Sequence, residues 1–500
     1  MEKSNGQKVS YAALAWMPIY GLVGLGFALL YLLTLSPNLS VAHDSISYLS
    51  ALSDTAIAGN GHHLLQHVFT SAWIRIGLWL GFEDFLLIAN SLNALAGGIM
   101  LGLVFRIAHE RLGLSLAHSL AAVLIIGFSY GIWAYSIVLE VYMLPICLMM
   151  ASIWCLMGRK QNAWVAALIL HIFATLFHQM HLLWVPVAML YLYYNKGPYW
   201  RYAIFWGLGV GLTYIAFMWA VMDYRTVAEM QGFILGLTQE SYFWGLGGAL
   251  GILVGNARAW IGGHFMFGFA TEAGGFLGNF ATADDQYLVK ELSPFWRWLC
   301  LGFGLLAGGL LVRFYALTGL RLWRTPVGER SAPWLLAGGI LIYSAFFVIW
   351  VPVNPEFWLL QLVLWSLLFA WQSQQKGAWL WALVICLSLT NWWGSIRWLQ
   401  SQDHDLYYQK AIFWQANVGV DDLILVEQGW PQLDFASHFT ESRLLVLETA
   451  GLDSLIKVAS QHDRILLEAG LVSLLELDSL AWQIKSLPGP VGPYELWERK

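Results

Sequence analysis

The residues best suited to chemistry are two acidic side chains at the ends of long apolar segments. Asp44 follows the apolar run 12–35 by only a few residues, and Glu140 is the lone acid in the turn 133–142. A carboxylate held where lipid meets water can accept a proton from an incoming nucleophile, which suggests general base catalysis. The alternatives are that Asp44 caps the next helix and that Glu140 is a solvated loop acid.

Histidine and tyrosine side chains near these acids form the candidate substrate-binding set. They are His43, Tyr48, His62, His63, Tyr142, His178 and His181. Imidazoles can hydrogen-bond a phosphate or a sugar, and His63 and His67, four residues apart, would share one helix face. No glutamate completes a known zinc motif, so the sequence predicts neither a metal site nor a cofactor, with a divalent metal as the alternative. The other interpretation of these histidines is polar ends of helices at the membrane surface.

A basic residue, a further histidine and a third acid complete the candidates. Arg258 and His264 lie in the apolar run 242–270, where an arginine needs an anion, and a phosphate oxygen suits its guanidinium. The alternative is an arginine that extends to lipid head groups. Glu356 lies in the turn 350–358 and is either a third acid of the same site or a first-turn acid of the next helix.

The composition shows what must position these residues. Of the 500 residues, 58% are hydrophobic and only 11% are charged, whereas roughly 25% are charged in soluble proteins. The net charge of −5 is small and no basic block is present, which argues against nucleic acid as a partner. The four cysteines lie in apolar stretches without metal-ligand spacing, so we interpret them as core residues. The sequence therefore predicts a polytopic membrane protein.

The apolar segments predict an all-α membrane domain of about eleven transmembrane helices. A spanning helix needs about 20 mostly apolar residues. Polar residues interrupt the run 242–270, so we expect helices that lie at the membrane surface or dip into it there, with thirteen spans as the alternative. The predicted spans are 12–35, 85–105, 114–131, 141–157, 163–180, 181–195, 203–221, 297–315, 333–351, 357–371 and 378–394.

Basic residues indicate the orientation because they stay on the cytoplasmic side of a membrane. The short outside turns at Glu140, His178 and Glu356 hold no Lys or Arg. We therefore predict a multi-pass protein of the plasma membrane, in bacteria the inner membrane, with a cytoplasmic N-terminus and outside loops 36–84 and 222–296. The predicted inside loops hold Arg106, Arg111, Arg159, Lys160, Lys196, Arg201, Arg313, Arg321, Arg324, Arg330 and Lys376.

The last part of the chain changes character. After the membrane domain 1–394, residues 395–500 predict a small extracytoplasmic α/β domain, and about 100 residues can hold a modest core. Its predicted elements are short buried strands at 422–427 and 443–448, a helical segment over 452–478 and a closing strand at 494–500.

Together these features resemble the GT-C glycosyltransferases, in particular the bacterial proteins similar to protein O-mannosyltransferases. The resemblance rests on an early Asp in the first loop (43–45), a His-containing segment (62–64), a Glu-Val-Tyr turn (140–142) and the outside α/β domain at the end. The sequence departs from those relatives in two places. Ser45 stands where they carry Glu, and no prolines follow the paired histidines.

The resemblance implies an inverting transfer of a sugar from a polyprenyl-phosphate carrier to an acceptor on the outer face. It implies that Asp44 is the catalytic base, that Glu140 assists it, and that Arg258 lies near the lipid phosphate. The implied partners are the lipid-linked sugar, the bilayer and an acceptor protein, lipid or glycan. The alternatives are a secondary transporter, which would place polar groups near the membrane midplane, and a non-catalytic membrane assembly protein.

Overall fold

The computed structural model consists of a bundle of apolar helices followed by a small α/β domain. It describes residues 5–53, 60–158, 160, 162–236, 248–273, 281–324, 331–351, 353–374, 377–427, 429–447, 451–472, 482–490 and 492–499.

Most of the helices in the bundle are apolar along their length. The first group is α1 (Asn5–Leu33), α2 (Asp44–Ser53), α3 (Gln66–Trp79), α4 (Phe85–Arg106), α5 (Leu116–Gly127), α6 (Tyr130–Ile137), α7 (Met143–Leu156), α8 (Ala163–Phe177), α9 (Trp184–Tyr194) and α10 (Tyr199–Ala220). The second group is α11 (Val227–Leu235), α12 (Gly248–His264), α13 (Ala283–Leu288), α14 (Pro294–Trp323), α15 (Ser331–Phe347), α16 (Leu359–Gln372) and α17 (Ala378–Asn391).

Each predicted span corresponds to a helix, but the number of membrane crossings stays a prediction. Among the described residues, the helices long and apolar enough to cross by themselves are Phe85–Arg111, Tyr199–Ala220, Pro294–Trp323 and Ala378–Gln400. The predicted span 114–131 corresponds to α5, after which the chain bends by 64° into α6, so that the two helices form a broken span or a re-entrant loop. Shorter apolar helices of 10–17 residues are Ile19–Leu33, which is the apolar part of α1, Met143–Leu156, Ala163–Phe177 and Ala332–Phe347.

Helices α1 and α4 approach each other closely at a small-residue contact. A Cβ built on Gly98 of α4 would lie 2.6 Å from the backbone nitrogen of Ala28 on α1. This distance is shorter than real Cβ atoms adopt, so glycine is the residue that the contact allows. This close contact between α1 and α4 places α4 next to the loop that connects α1 to α2.

Helix α12 packs against the helix bundle. Asn256 of α12 donates to the carbonyl of Val348 just beyond α15 (3.1 Å), whereas His264 at the end of α12 is bonded to Tyr315 in α14 (2.8 Å). A 3₁₀ helix, Gly268–Ala273, follows α12. The position of these helices relative to the membrane surface stays a prediction.

The C-terminal domain is an α/β unit with a five-stranded sheet. The strand order is β2-β1-β3-β5-β4, in which β1 pairs parallel with β2 and β3, while β5 pairs antiparallel with β3 and β4. Its elements are α18 (Leu406–Asn417), β1 (Leu423–Val426), α19 (Gln432–Phe439), β2 (Arg443–Val446), α20 (Leu452–Ala459), β3 (Arg464–Glu468), α21 (Ala469–Val472), β4 (Trp482–Pro488) and β5 (Pro493–Arg499).

Alternating residues of β1 face two different cores. Ile424 packs with Trp414 of α18 and Phe435 of α19, and this core also includes Ile46 of α2. Leu425 packs in the second core with α20. The first core therefore joins the sheet domain to one end of the helix bundle, which we call the domain end.

The tail predictions are confirmed for three strands and wrong for part of one helix. The predicted strands at 422–427, 443–448 and 494–500 correspond to β1, β2 and β5. The predicted helix 452–478 ends at Ala459, and β3 follows it. The strand forms because Ile465, Leu466 and Leu467 are all fully buried between β1 and β5. Residues 473–478 lie outside the described residues.

Two basic residues that were predicted to be cytoplasmic, Arg106 and Arg321, lie at the end of the bundle opposite the domain end. Helix α4 begins beside the domain core, where Leu86 packs, and finishes at Arg106. Arg321, near the end of α14, donates to the carbonyl oxygens of Trp371 (2.6 Å) and Gln372 (2.7 Å) at the end of α16. The direction of the chain across a membrane stays a prediction.

Candidate active site at the domain end

Asp44 is the first residue of α2 and is partly exposed. Its carboxylate accepts a hydrogen bond from the hydroxyl of Tyr48, one turn further along the helix (3.4 Å). Asp44 therefore lies after the N-cap position, and the alternative in which it caps this helix does not describe the structure. Helix α2 continues to Ser53, and residues 54–59 lie outside the described residues.

The turn that carries Glu140 is fixed directly to the start of α2. The Ser45 hydroxyl donates to the carbonyl of Leu139 (2.7 Å). From α4, the Asn93 amide donates to the carbonyls of Val138 (2.9 Å) and Glu140 (2.7 Å). The Glu140 residue is only 2% exposed, so the solvated-loop alternative does not apply to it.

Glu356 supplies a third carboxyl group to the same place. It lies in a short 3₁₀ helix, Pro355–Trp358, between α15 and α16. Its oxygens accept hydrogen bonds from the Tyr135 hydroxyl (3.1 Å) and the Asn354 amide (3.1 Å). The ring of Tyr142 packs against that of Tyr135 at 5.7 Å. These hydrogen bonds hold Glu356 toward α6 and the Glu140 turn.

The electrostatics of Asp44, Glu140 and Glu356, called the carboxyl cluster below, show that they influence one another. Burial raises the pKa of Glu140 well above its ordinary value, and the charges of Asp44 and Glu356 raise it further. Burial and the charge of Asp44 raise the pKa of Glu356 to about 7. Carboxylates that share a poorly solvated site cannot all ionise together near neutral pH.

Asp44 differs from the other two acids in having a neighbouring imidazole. Burial raises the pKa of Asp44, but the charge of His43 and the hydrogen bond from Tyr48 lower it. The His43 imidazole donates to the Asp284 carboxylate of α13 (3.2 Å). Burial alone lowers the pKa of His43, yet its bond to Asp284 and the surrounding carboxylates raise it overall. The negative charge of the cluster therefore rests first on Asp44.

The loop before α2 is anchored to the junction with the C-terminal domain. Asp405 is fully buried and accepts a hydrogen bond from the backbone N–H of Leu39 (2.5 Å), besides bonding Ser40. The same carboxylate caps α18 through the N–H of Tyr408 (3.0 Å). From α4, the Asn90 amide donates to the carbonyl of Ser36 (2.8 Å). These contacts fix the backbone that leads to Asp44.

Four of the candidate histidines form a buried group beside the carboxyl cluster. The His63 and His178 rings lie 4.5 Å apart, and His178 lies 5.0 Å from the ring of Tyr142. His62 and His181 each lie 6.3 Å from one of these two imidazoles. Each of the four has one buried ring nitrogen without a hydrogen-bond partner. They can therefore offer polar contacts to a ligand.

The predicted helical pairing of His63 with His67 is wrong. Helix α3 begins at Gln66, so His63 lies in the preceding turn and only His67 is in the helix. The Tyr48 ring packs near both, at 6.3 Å from His63 and 5.4 Å from His67. Within the part of the chain that the structure describes, no three His, Cys, Asp or Glu side chains converge as metal ligands would.

Arg258 and His264 lie at different depths of α12. Burial and the charge of the neighbouring Asp284 raise the pKa of Asp285 in α13 to about 7. The charge of Arg258 acts on the same carboxyl group and lowers its pKa. His264 is 1% exposed and is bonded to Tyr315 (2.8 Å) and Ser129 (3.3 Å). The structure thus brings Arg258 near the acids of α13, while His264 is buried in the bundle against Tyr315 and Ser129.

An apolar cavity of about 330 Å³ lies between the end of α12 and α14. Its lining includes Trp260, His264 and Tyr315, together with Leu305 and Val312. The last two are 58% and 70% exposed, so the cavity opens sideways at the surface of the bundle. None of the three acids of the carboxyl cluster lines it.

Sequence reasoning missed several residues that build this site. They are Asn90, Asn93, Tyr135, Asp284 and Asp405. A signal existed for the two asparagines, because amides three residues apart in an apolar span need buried partners. The other three are linked to the site through contacts between segments far apart in sequence.

Comparison with solved structures gives the fold. The crystal structure of ArnT from Cupriavidus metallidurans bound to undecaprenyl phosphate matches with a TM-score of 0.56 and 10% identity, over 97% of this chain and 98% of that chain. The Archaeoglobus fulgidus oligosaccharyltransferase in complex with zinc and sulfate matches with a TM-score of 0.51 and 10% identity, over 95% of this chain and 73% of that chain. No protein-family model and no curated protein matches the sequence. The chain has the GT-C fold that the sequence predicted.

Proposed function

We propose that the protein is a membrane glycosyltransferase that moves a sugar from a polyprenyl-phosphate carrier to an acceptor on the outer face of the membrane. The observation that carries this proposal is the carboxyl cluster at the domain end, formed by Asp44, Glu140 and Glu356. Their mutual pKa effects indicate one shared site. The GT-C fold shared with ArnT, whose crystal structure contains undecaprenyl phosphate, supports this reaction class.

In the proposed reaction, Asp44 is the base. An acceptor hydroxyl or amine loses its proton to the Asp44 carboxylate while it bonds to the anomeric carbon of the donor sugar. The bond from that carbon to the phosphate oxygen breaks, and its electron pair leaves with the polyprenyl phosphate. Attack from the face opposite the phosphate inverts the anomeric centre. The components of this step are the base, the acceptor, the donor sugar and the lipid phosphate, and no redox partner is needed.

The other acids and the cation have distinct parts. Burial and the neighbouring acids raise the pKa of Glu140 well above its ordinary value, which favours its protonated form, and a protonated carboxyl group can donate a hydrogen bond to the sugar. Arg258 makes no hydrogen bond or ion pair with the residues that the structure describes, and we propose that its guanidinium stabilises the leaving phosphate. His62, His63, His178 and His181 would contact the sugar or the phosphate through their unpartnered nitrogens.

The apolar cavity beside α12 is our candidate binding site for the first isoprene units of the carrier. It opens sideways between exposed residues of α14, where a lipid chain could enter from the bilayer. Arg258 lies six residues before His264 on the same helix, about 9 Å along the axis. A chain bound in this cavity would therefore extend along α12 toward the level of Arg258.

The experiment uses the purified protein in proteoliposomes with radiolabelled undecaprenyl-phosphate monosaccharides, namely hexoses and N-acetylhexosamines. We expect at least one donor to be consumed with release of undecaprenyl phosphate when membrane extract supplies acceptors. Arg258→Gln should slow this reaction, whereas Arg313→Gln, a matched cation on α14 that stacks on Trp379, should not. Accumulation of a labelled solute without consumption of any donor would instead identify a transporter. If the protein neither consumes a donor nor accumulates a solute, the proposal is refuted and the assembly role is the alternative that remains.

A further inference from the structure

The C-terminal domain reaches the helix that carries the proposed base. Asp434 of α19 accepts a hydrogen bond from the Ser47 hydroxyl of α2 (2.5 Å), and His438 of α19 is bonded to the Ser50 hydroxyl (2.9 Å). The charge of Asp434 also acts on Asp44. Helix α19 therefore forms one wall of the site and does not merely rest on the bundle.

An aromatic corner stands at the start of this wall. The Trp430 ring, two residues before α19, lies 4.9 Å from the His43 imidazole in an edge-to-face arrangement. Tyr407 packs on His43 at 5.5 Å and is itself supported by Phe435 at 5.7 Å. Despite these contacts, Trp430 remains 53% exposed. An exposed indole next to the residue that precedes the base is available to a ligand.

The route from water to the base runs past this corner. Glu140 is 2% exposed and faces the bundle, whereas Asp44 and His43 are partly exposed beside Trp430. The donor's lipid must come from the apolar side of the bundle, so the acceptor has the exposed side, where Asp44, His43 and Trp430 lie.

The charges along this approach are mainly negative. Asp44, Asp434 and Asp284 face it, and the imidazole of His43 is engaged by Asp284. Lys410, the nearest lysine of α18, is paired with Glu468 (3.0 Å). An anionic acceptor would be repelled here, while hydroxyl groups can donate to the carboxylates.

We propose that Trp430, with His43 and Asp434, forms an acceptor subsite that takes an uncharged saccharide. The apolar CH face of the sugar would lie on the indole, and its hydroxyls would donate to the Asp434 and Asp44 carboxylates. This inference rests on the proposed function, because it names the acceptor class of that reaction. It assigns the C-terminal domain a direct part in choosing the acceptor.

The experiment measures saccharide binding in the absence of any donor. Saturation-transfer NMR on the full chain in nanodiscs uses the methyl glycosides of glucose, galactose, mannose and N-acetylglucosamine, with methyl glucuronide as the anionic probe. We expect at least one neutral glycoside to bind, and Trp430→Ala to weaken it about tenfold. Trp430→Phe should retain part of the binding. Trp323→Ala, at an 87% exposed tryptophan at the opposite end, is the matched control and should change nothing.

The inference is overturned if no neutral glycoside binds, if Trp430→Ala binds as tightly as the wild type, or if the glucuronide binds most tightly. Because no donor is present in this experiment, these results would refute the acceptor subsite without refuting the proposed sugar transfer, which is tested in the proteoliposome assay. Conversely, a failure to consume any lipid-linked sugar would refute the proposed function even if a glycoside binds at Trp430.

Discussion

Replacing Glu356 by Gln tests the electrostatics of the carboxyl cluster without removing its shape. The pKa of Glu356 is raised from 4.5 to about 7 by burial and by Asp44. A shift of one pKa unit corresponds to about 1.4 kcal/mol, so ionising this group in the folded protein costs about 3 kcal/mol more than in the unfolded chain. Gln keeps a carbonyl oxygen for the Tyr135 hydroxyl but does not titrate.

The sign follows from proton binding. Because the folded state holds the Glu356 proton more tightly, the folded protein loses stability as pH rises from about 4.5 to about 7, and the loss is complete above the raised pKa. Glu356→Gln removes this loss. The variant should therefore gain about 3 kcal/mol relative to the wild type between pH 5 and pH 8.

The assay is thermal and denaturant unfolding of both proteins in the same detergent at pH 5 and pH 8, followed by tryptophan fluorescence. Glu229→Gln is the control, because hydrogen bonds lower the pKa of this exposed carboxyl and its effect should be nearly constant over that range. If the wild type and Glu356→Gln respond to pH in parallel, the shared titration of the cluster is refuted.

The remaining predictions concern the anchored loop and the orientation. Asp405→Ala would leave the N–H groups of Leu39 and Tyr408 without their acceptor. It should lower the free energy of unfolding by about 3 kcal/mol. An unchanged midpoint of denaturant unfolding would contradict the anchoring role. A cysteine at the exposed Asp453 should react with a membrane-impermeant maleimide in intact cells. A cysteine at the exposed Lys196 should react only after permeabilisation, and the reverse pattern would invert the predicted orientation.

The positions of the main acids could be predicted from the sequence because each is unusual where it stands. Asp44, Glu140 and Glu356 each border apolar segments, and an acid in that setting is costly unless it has a role. The sequence predicts that the three acids lie on one side of the membrane, because successive spans cross it in alternating directions. The sequence also predicted the apolar helices and the C-terminal sheet, because hydropathy patterns are properties of long segments. The GT-C fold was expected from the resemblance of short motifs to a known family.

The contacts that complete the site could not be predicted, because they join distant parts of the chain. His43 and Asp284 are 241 positions apart, and Asp405 binds Leu39 across 366 positions. Local periodicity carries no signal for such pairs. Local patterns also misled where tertiary burial decided the conformation, as in β3, where Ile465 lies in a central strand of the sheet.

Substitution of Asp44 by Asn tests the central claim most directly. With undecaprenyl-phosphate monosaccharides in proteoliposomes, Asp44→Asn should reduce the initial rate of sugar transfer by a factor of about 100 or more, since it removes the proposed base. Its melting temperature should not fall below that of the wild type, because Asp44→Asn removes a charge that raises the pKa of Glu140 and Glu356. The exposed Asp453→Asn should transfer at the wild-type rate. A folded Asp44→Asn protein that transfers sugar as fast as the wild type would contradict the claim that this carboxylate deprotonates the acceptor.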